Sequence, residues 1–145
     1  MAHGLSFLFE VRTGIAKTSD AGASLVEGFT PGANSSPDIL HYVWAVDVPN
    51  PNQPPNTKTV LLTTVYDEQF EPYIRDLVLA NPTPFNLAAK IIIGMEGFIP
   101  VESPTNLPKF IEFVREHDLT HGGTTPFTEA YPYTVTQIKA CFASN

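Results

Sequence analysis

Apolar positions along the chain follow two different periods. From Leu40 to Val48 (LHYVWAVDV) they alternate, with Leu40, Tyr42, Trp44, Val46 and Val48 on one face and His41, Val43, Ala45 and Asp47 on the other. Alternation marks a strand, because successive side chains leave a pleated backbone on opposite sides. Val60 to Tyr66 (VLLTTVY) predicts a second strand, antiparallel to the first. Between them, Pro49 to Thr57 (PNPNQPPNT) reads as a long polar connection, since proline has no backbone donor for a ladder.

The period then changes. Phe70, Tyr73, Ile74, Leu77 and Val78 follow the i, i+3, i+4, i+7, i+8 spacing of one buried helix face. Asp67 is placed to cap this helix, Pro72 is tolerable near its start, and Asn81-Pro82 ends it. Lys90 to Phe98 (KIIIGMEGF) predicts a third strand, Ile-rich and buried on both faces. Leu107, Phe110, Ile111 and Val114 predict a second amphipathic helix, capped by Thr105 or Asn106 and stopped by Gly122-Gly123. Thr125 to Tyr131 predicts a short fourth strand, which Pro126 either places at an edge or makes start late. Thr134 and Gln137 form a capping-box pattern ahead of a short terminal helix carrying Val135, Ile138 and Phe142.

In residues 1–36 two periods compete. Leu5, Leu8, Phe9, Arg12 and Ile15 fit a helix, whereas Phe7, Phe9 and Val11 alternate as in a strand. A helix is the expectation, followed by a loop through Gly28, Pro31, Gly32 and the run Asn34 to Pro37. The whole is a single α+β domain, residues 1–145, with 1–36 as an N-terminal extension and 37–145 as the core. The core order ββαβαβα predicts a four-stranded sheet with helices on one face. The opposite face would carry Tyr42 and Trp44. An apolar sheet face needs cover, and a homodimer is the simplest cover.

Composition narrows the function classes. The 145 residues suffice for one domain with a substantial core. A net charge of −7 and the lack of a basic stripe argue against nucleic acid and anionic membranes as partners. Apolar runs are shorter than ten residues, too short to span a bilayer as a helix. The opening MAHGLSFLFEVRTG has no basic n-region, so a secretory signal is not expected. The single cysteine, Cys141, has no intrachain disulfide partner, and a cytoplasmic location is the expectation.

Three stretches resemble a known family. LLTTVYDEQFEPYIRDLV (Leu61 to Val78), GMEGF (Gly94 to Phe98) and PFTEAYPYTVTQIK (Pro126 to Lys139) are similar to segments of bacterial ferredoxin-like domains of the dimeric α+β-barrel superfamily. The resemblance covers roughly residues 40–142. It implies a ferredoxin-like sandwich that dimerises, in a group that includes small monooxygenases and haem-handling enzymes. It supplies no catalytic residue set, and the chain has no obvious haem-ligand motif.

Candidate sites follow from residue type. Glu96 sits between Gly94 and Gly97 in an otherwise apolar stretch, where a buried carboxylate would have a raised pKa and could serve as a base. His41 is a second candidate base. Its face-mate Asp47 is about 20 Å away along a strand, too far to touch it. Tyr42, Trp44, Thr64, Tyr66 and Glu129 are candidate ligand-binding residues around a pocket shared with Glu96. His117, Asp118 and His121 form a ligand-like cluster in which His117 and His121, spaced i, i+4, could share a metal, although histidines near a helix C-terminus are also favoured by the helix dipole. No cofactor motif is evident, and haem or metal is left open. P-loop, Rossmann, nucleophile-elbow and C-x-x-C patterns are absent. The leading expectation is a small-ligand-binding or accessory domain. The rivals are a small oxygenase- or isomerase-like enzyme of the dimeric barrel type and a structural interaction domain.

Overall fold

The computed structural model describes residues 3–13 and 40–120, with the backbone alone at 40–42, and positions 134, 136, 137 and 140. Its elements are three strands, β1 (His3–Arg12), β2 (Leu40–Val48) and β3 (Thr57–Tyr66), then three helices, α1 (Phe70–Ala80), α2 (Pro82–Ile91) and α3 (Leu107–Glu116). The strands form an antiparallel sheet in the order β1-β3-β2. The described residues are therefore α+β, with all three helices packed on one face of the sheet.

β1 corrects the helix expected near the N-terminus. Leu5, Phe7, Phe9 and Val11 are all buried, and the residues between them are not. A helix would have put alternate members of this series on opposite sides, whereas a strand sends all four inward. Each such burial stabilises the fold by about 1.5–3 kcal/mol, enough to override local spacing. The ladder sets the faces. Phe9, Phe7, Leu5 and His3 lie opposite Val60, Leu62, Thr64 and Tyr66. On the other side of β3, Ala45 and Val43 lie opposite Leu62 and Thr64.

The outer edge of β1 is also paired. Ile93 N–H donates to the Glu10 carbonyl, Leu8 N–H to that of His117, and Leu119 N–H to that of Ser6. Isolated bridges join Val11 to Ile92 and Phe7 to Asp118. The segments after α2 and α3 are thereby tied to β1, which satisfies backbone groups that an edge strand would leave open.

The predicted stripe of α1 is buried as expected, and Arg75 pairs with Glu71 one turn away at 2.7 Å. Asp67 is not at the N-cap position. The N-cap is Gln69, which makes no side-chain capping bond, so Asp67 lies two residues too early. Asn81 does end α1, but Pro82 opens α2 at once, since proline is tolerated in a first turn where no donor is needed. The expected strand Lys90 to Phe98 does not form. Lys90 and Ile91 complete α2, Ile92 makes one bridge, and the chain turns at Gly94 and Gly97, whose φ angles are 97° and 86°. A short apolar run reads alike as a helix end or a strand. A Cβ at Gly94 would sit 2.8 Å from Cε2 of Phe113, so packing as well as backbone angle excludes a side chain there.

In α3, Leu107, Phe110, Ile111 and Val114 are buried as predicted, joined by Phe113. Asn106 is the N-cap residue, yet its side-chain amide donates to the Pro100 carbonyl, while its backbone N–H donates to Ser103 Oγ. The capping box forms: Gln137 N–H donates to Thr134 Oγ1 and Thr134 N–H to Gln137 Oε1. The expected fourth strand, Thr125 to Tyr131, lies outside the described residues. Among those residues no helix is long and apolar enough to cross a membrane.

Candidate functional site

Between the sheet and the helices lies a cavity of about 50 Å³. Its floor is Leu5, Phe7 and Phe9 of β1, Leu62 and Thr64 of β3, and Val43 of β2. The helices close it with Tyr73, Ile74 and Leu77 of α1, Pro84, Phe85 and Ala88 of α2, and Phe110 and Val114 of α3, joined by Ile92. The alternation of β1 and the 3.6-residue stripes of α1 and α3 bring these side chains together. The lining has two polar atoms besides backbone, and they meet each other: the Tyr73 hydroxyl donates to Thr64 Oγ1 at 3.0 Å. Val43, Leu62 and Phe85 are half-buried and mark the side nearest the surface.

At the end of β3, Tyr66 stacks on Tyr73, with ring centroids 3.9 Å apart and planes 7° from parallel. Both are completely buried. His3, the ladder partner of Tyr66, places its ring 5.7 Å away. The Tyr66 hydroxyl has no hydrogen-bond partner among the described residues. Burial, and secondarily the negative charge of Asp118, push its pKa up to about 12. Burial also raises that of Tyr73, against the lowering effect of its bond to Thr64.

Asp118 is itself buried, held against β1 by a group of donors. Its Oδ1 accepts from Ser6 N–H at 3.3 Å and Thr120 N–H at 2.8 Å. The Thr120 hydroxyl lies 2.6 Å from the same oxygen and 2.8 Å from the Gly4 carbonyl. Two residues after Tyr66, Glu68 buries its Oε2 without a hydrogen-bond partner among the described residues. Burial and then the charge of Asp76 raise its pKa.

The sequence candidates are scattered by the fold. Thr64 and Tyr66 do share the helix-covered face. Trp44 pairs with Thr63, one residue out of step, and so lies on the opposite face, 44% exposed. The backbone of Tyr42 pairs with Val65 on that same register, and His41 falls at the register shift between Leu40 and Tyr42. Glu96 occupies an exposed turn instead of a strand. One of its carboxylate oxygens pairs with Arg12, and the other accepts from Gly94 N–H at 2.9 Å. It does not line the cavity. His117 follows α3, its Nδ1 2.8 Å from the Phe113 carbonyl and its ring stacked on Phe113. His121 and Glu129 lie outside the described residues. Among the described residues no group of three or more His, Cys, Asp or Glu is placed to hold a metal.

Two members of the site escape sequence reasoning. Tyr73 reads as one more core residue of an amphipathic helix, and its hydroxyl is the only hint of a polar role. Asp118 reads as part of a histidine cluster, although a carboxylate just past a helix, ahead of Thr120, is a natural acceptor for local backbone donors. Compared with family models, curated proteins and solved structures, the chain matches none.

Proposed function

We propose that this domain is a small-ligand-binding module whose site is the cavity between the sheet and the helices. One observation carries the reading: a gap of about 50 Å³ between the sheet and the helices, lined by apolar side chains, with its two hydroxyls bonded to each other. Such a gap costs the fold about 1 kcal/mol at the usual penalty per unit of cavity volume. It offers water no polar partners, so it suits a compact apolar molecule. No side chain in it is an activated acid, base or nucleophile, which supports binding rather than chemistry.

Xenon, the smallest convenient apolar probe, tests this. Crystals under xenon pressure should show the atom beside Ala88 and Leu77, and Ala88→Leu should exclude it. Toluene should then raise the melting temperature of the enlarged Leu77→Ala variant. If neither probe binds, and Ala88→Leu merely stabilises the protein, the gap is a packing defect and the reading is lost.

The ferredoxin-like sandwich and the homodimer belong to the same proposal. The exposure of Trp44 and Val46, 44% and 39%, on the sheet face turned from the helices supports a second copy as its cover. Light scattering checks it: a strict monomer at high concentration removes the dimer.

A further inference from the structure

The fold treats the two edges of its sheet differently. The outer side of β1 is held by backbone bonds to Ile93, His117 and Leu119. β2 ends the sheet on the other side, and among the described residues nothing pairs with its outer edge. Such an edge offers a row of unmet backbone donors and acceptors to any strand that meets it. β2 lacks most of the devices that discourage this. It is nine residues long, contains no proline, and has its bulge confined to the step from Leu40 to Tyr42. Its one acidic residue, Asp47, is paired with Lys58 at 2.9 Å. Trp44 and Val46 are left exposed.

The sequence of β2 says what fits this edge. Two copies related by a two-fold axis perpendicular to the sheet pair antiparallel, with opposed residues on the same face. The register must then set one residue opposite itself. Trp44 is the middle residue of Leu40–Val48, and placing it on the axis overlaps the whole strand. Val43 then lies opposite Ala45, Tyr42 opposite Val46 and Leu40 opposite Val48 of the second copy. The same register sets Asp47 opposite His41, the one position of the strand able to carry positive charge. Moving the axis to Ala45 sets Asp47 opposite Val43 instead. Moving it to Val43 carries Asp47 past the end of the strand. Length, apolar pairing and charge select the same arrangement.

We propose that two copies of this chain join edge to edge through β2, antiparallel and centred on Trp44, so that two three-stranded sheets become one. This pairing presupposes the homodimer inferred above and adds its edge and its register. The second copy extends the outer-face rows Ser6–Thr63–Trp44 and Leu8–Leu61–Val46, which covers the two exposed residues from the side.

Amide exchange on the native protein at two concentrations tests the pairing, with light scattering beside it. Where the protein scatters as a dimer, the outward amides between Tyr42 and Val46 should exchange about tenfold more slowly than in the dilute monomer. Cysteines in a Cys141→Ser background read the register. Val43→Cys and Ala45→Cys proteins should form a disulfide-linked dimer when mixed and oxidised, and neither should do so alone. Directly opposed residues come within bridging distance, whereas diagonal ones do not. Both positions lie on the face that the helices cover, so a dimer joined face to face cannot link them. A strict monomer removes the pairing and the homodimer together. A dimer whose β2 amides exchange as fast as the monomer's overturns the edge pairing and leaves a homodimer joined by the sheet face. Cross-linking of either variant alone, or a dimeric mixture that does not cross-link, overturns the register. Slow exchange already present in the dilute monomer means that another strand holds the edge, and the proposal falls.

Discussion

Tyr66 and Tyr73 are two phenols stacked 3.9 Å apart, equally buried, with different fates for their hydroxyls. That of Tyr73 reaches Thr64 and closes a local polar account inside an apolar cavity. That of Tyr66 meets no hydrogen-bond partner among the described residues and lies within the electrostatic reach of a buried carboxylate. Position explains the contrast. Tyr73 comes from the first turn of α1, and the Thr64 hydroxyl, two residues before the end of β3, faces it. Tyr66 is the last residue of β3, where the sheet ends and the chain leaving α3 supplies the neighbours.

The harshest way to break the comparison is to remove one ring. Tyr73→Ala strips the stack from Tyr66, opens the cavity and orphans Thr64. It should destabilise the protein by about 3–5 kcal/mol in urea unfolding. A loss below about 1 kcal/mol would mean that the helix and sheet close over the gap and that the stack is not what holds Tyr66. Next in size is Asp118→Ala. It leaves the Ser6 and Thr120 donors unmatched at the β1 edge and should cost about 2–3 kcal/mol. Its amide exchange should quicken at Ser6 and Thr120 while staying slow at Val60.

How much of this could be read beforehand depends on whether a residue's role is local. The stripes of α1 and α3 and the β2–β3 pairing follow from period alone, because one-sided burial is written into spacing. The Thr134–Gln137 box is local as well. β1 is hidden because Leu8, Phe9 and Arg12 offer a competing helical spacing, and only pairing with β3 decides which apolar set goes inside. The stretch from Lys90 to Phe98 failed for a related reason: three isoleucines are too few to show a period, and the turn at Gly94 depends on Phe113, far along the chain. Glu96 went with it, since its environment was inferred from a strand that does not form. Within the candidate site, Thr64 and Tyr66 were recognisable as residues of one face. The Tyr66–Asp118 relation was not, because it joins positions that only the return of the chain to β1 brings together.

A gentler change isolates the hydroxyl that is satisfied. Tyr73→Phe keeps ring and stack and removes one buried hydrogen bond to a neutral partner, so it should cost about 1 kcal/mol. A neutral or stabilising result would show that Thr64 finds another donor and that the two tyrosines differ less than their contacts suggest.

The smallest effect vanishes at neutral pH and appears only in alkali. Tyr66 ionises at about 12 in the folded protein, against 10.0 for an exposed tyrosine, because burial and the Asp118 charge both disfavour the phenolate. In the window between those values the unfolded chain loses its proton while the folded one retains it. The folded state then binds more protons, and stability must fall as pH rises. The contribution is fully present below pH 10 and is lost progressively as the pH climbs toward the folded value. Tyr66→Phe has no proton to lose, so its stability should decline less steeply over the same window. Denaturant melts at stepped alkaline pH would show the native curve falling faster than that of Tyr66→Phe. Parallel curves would mean that the Tyr66 hydroxyl titrates like an exposed one, and with that the distinction between the two stacked phenols would lose its electrostatic half.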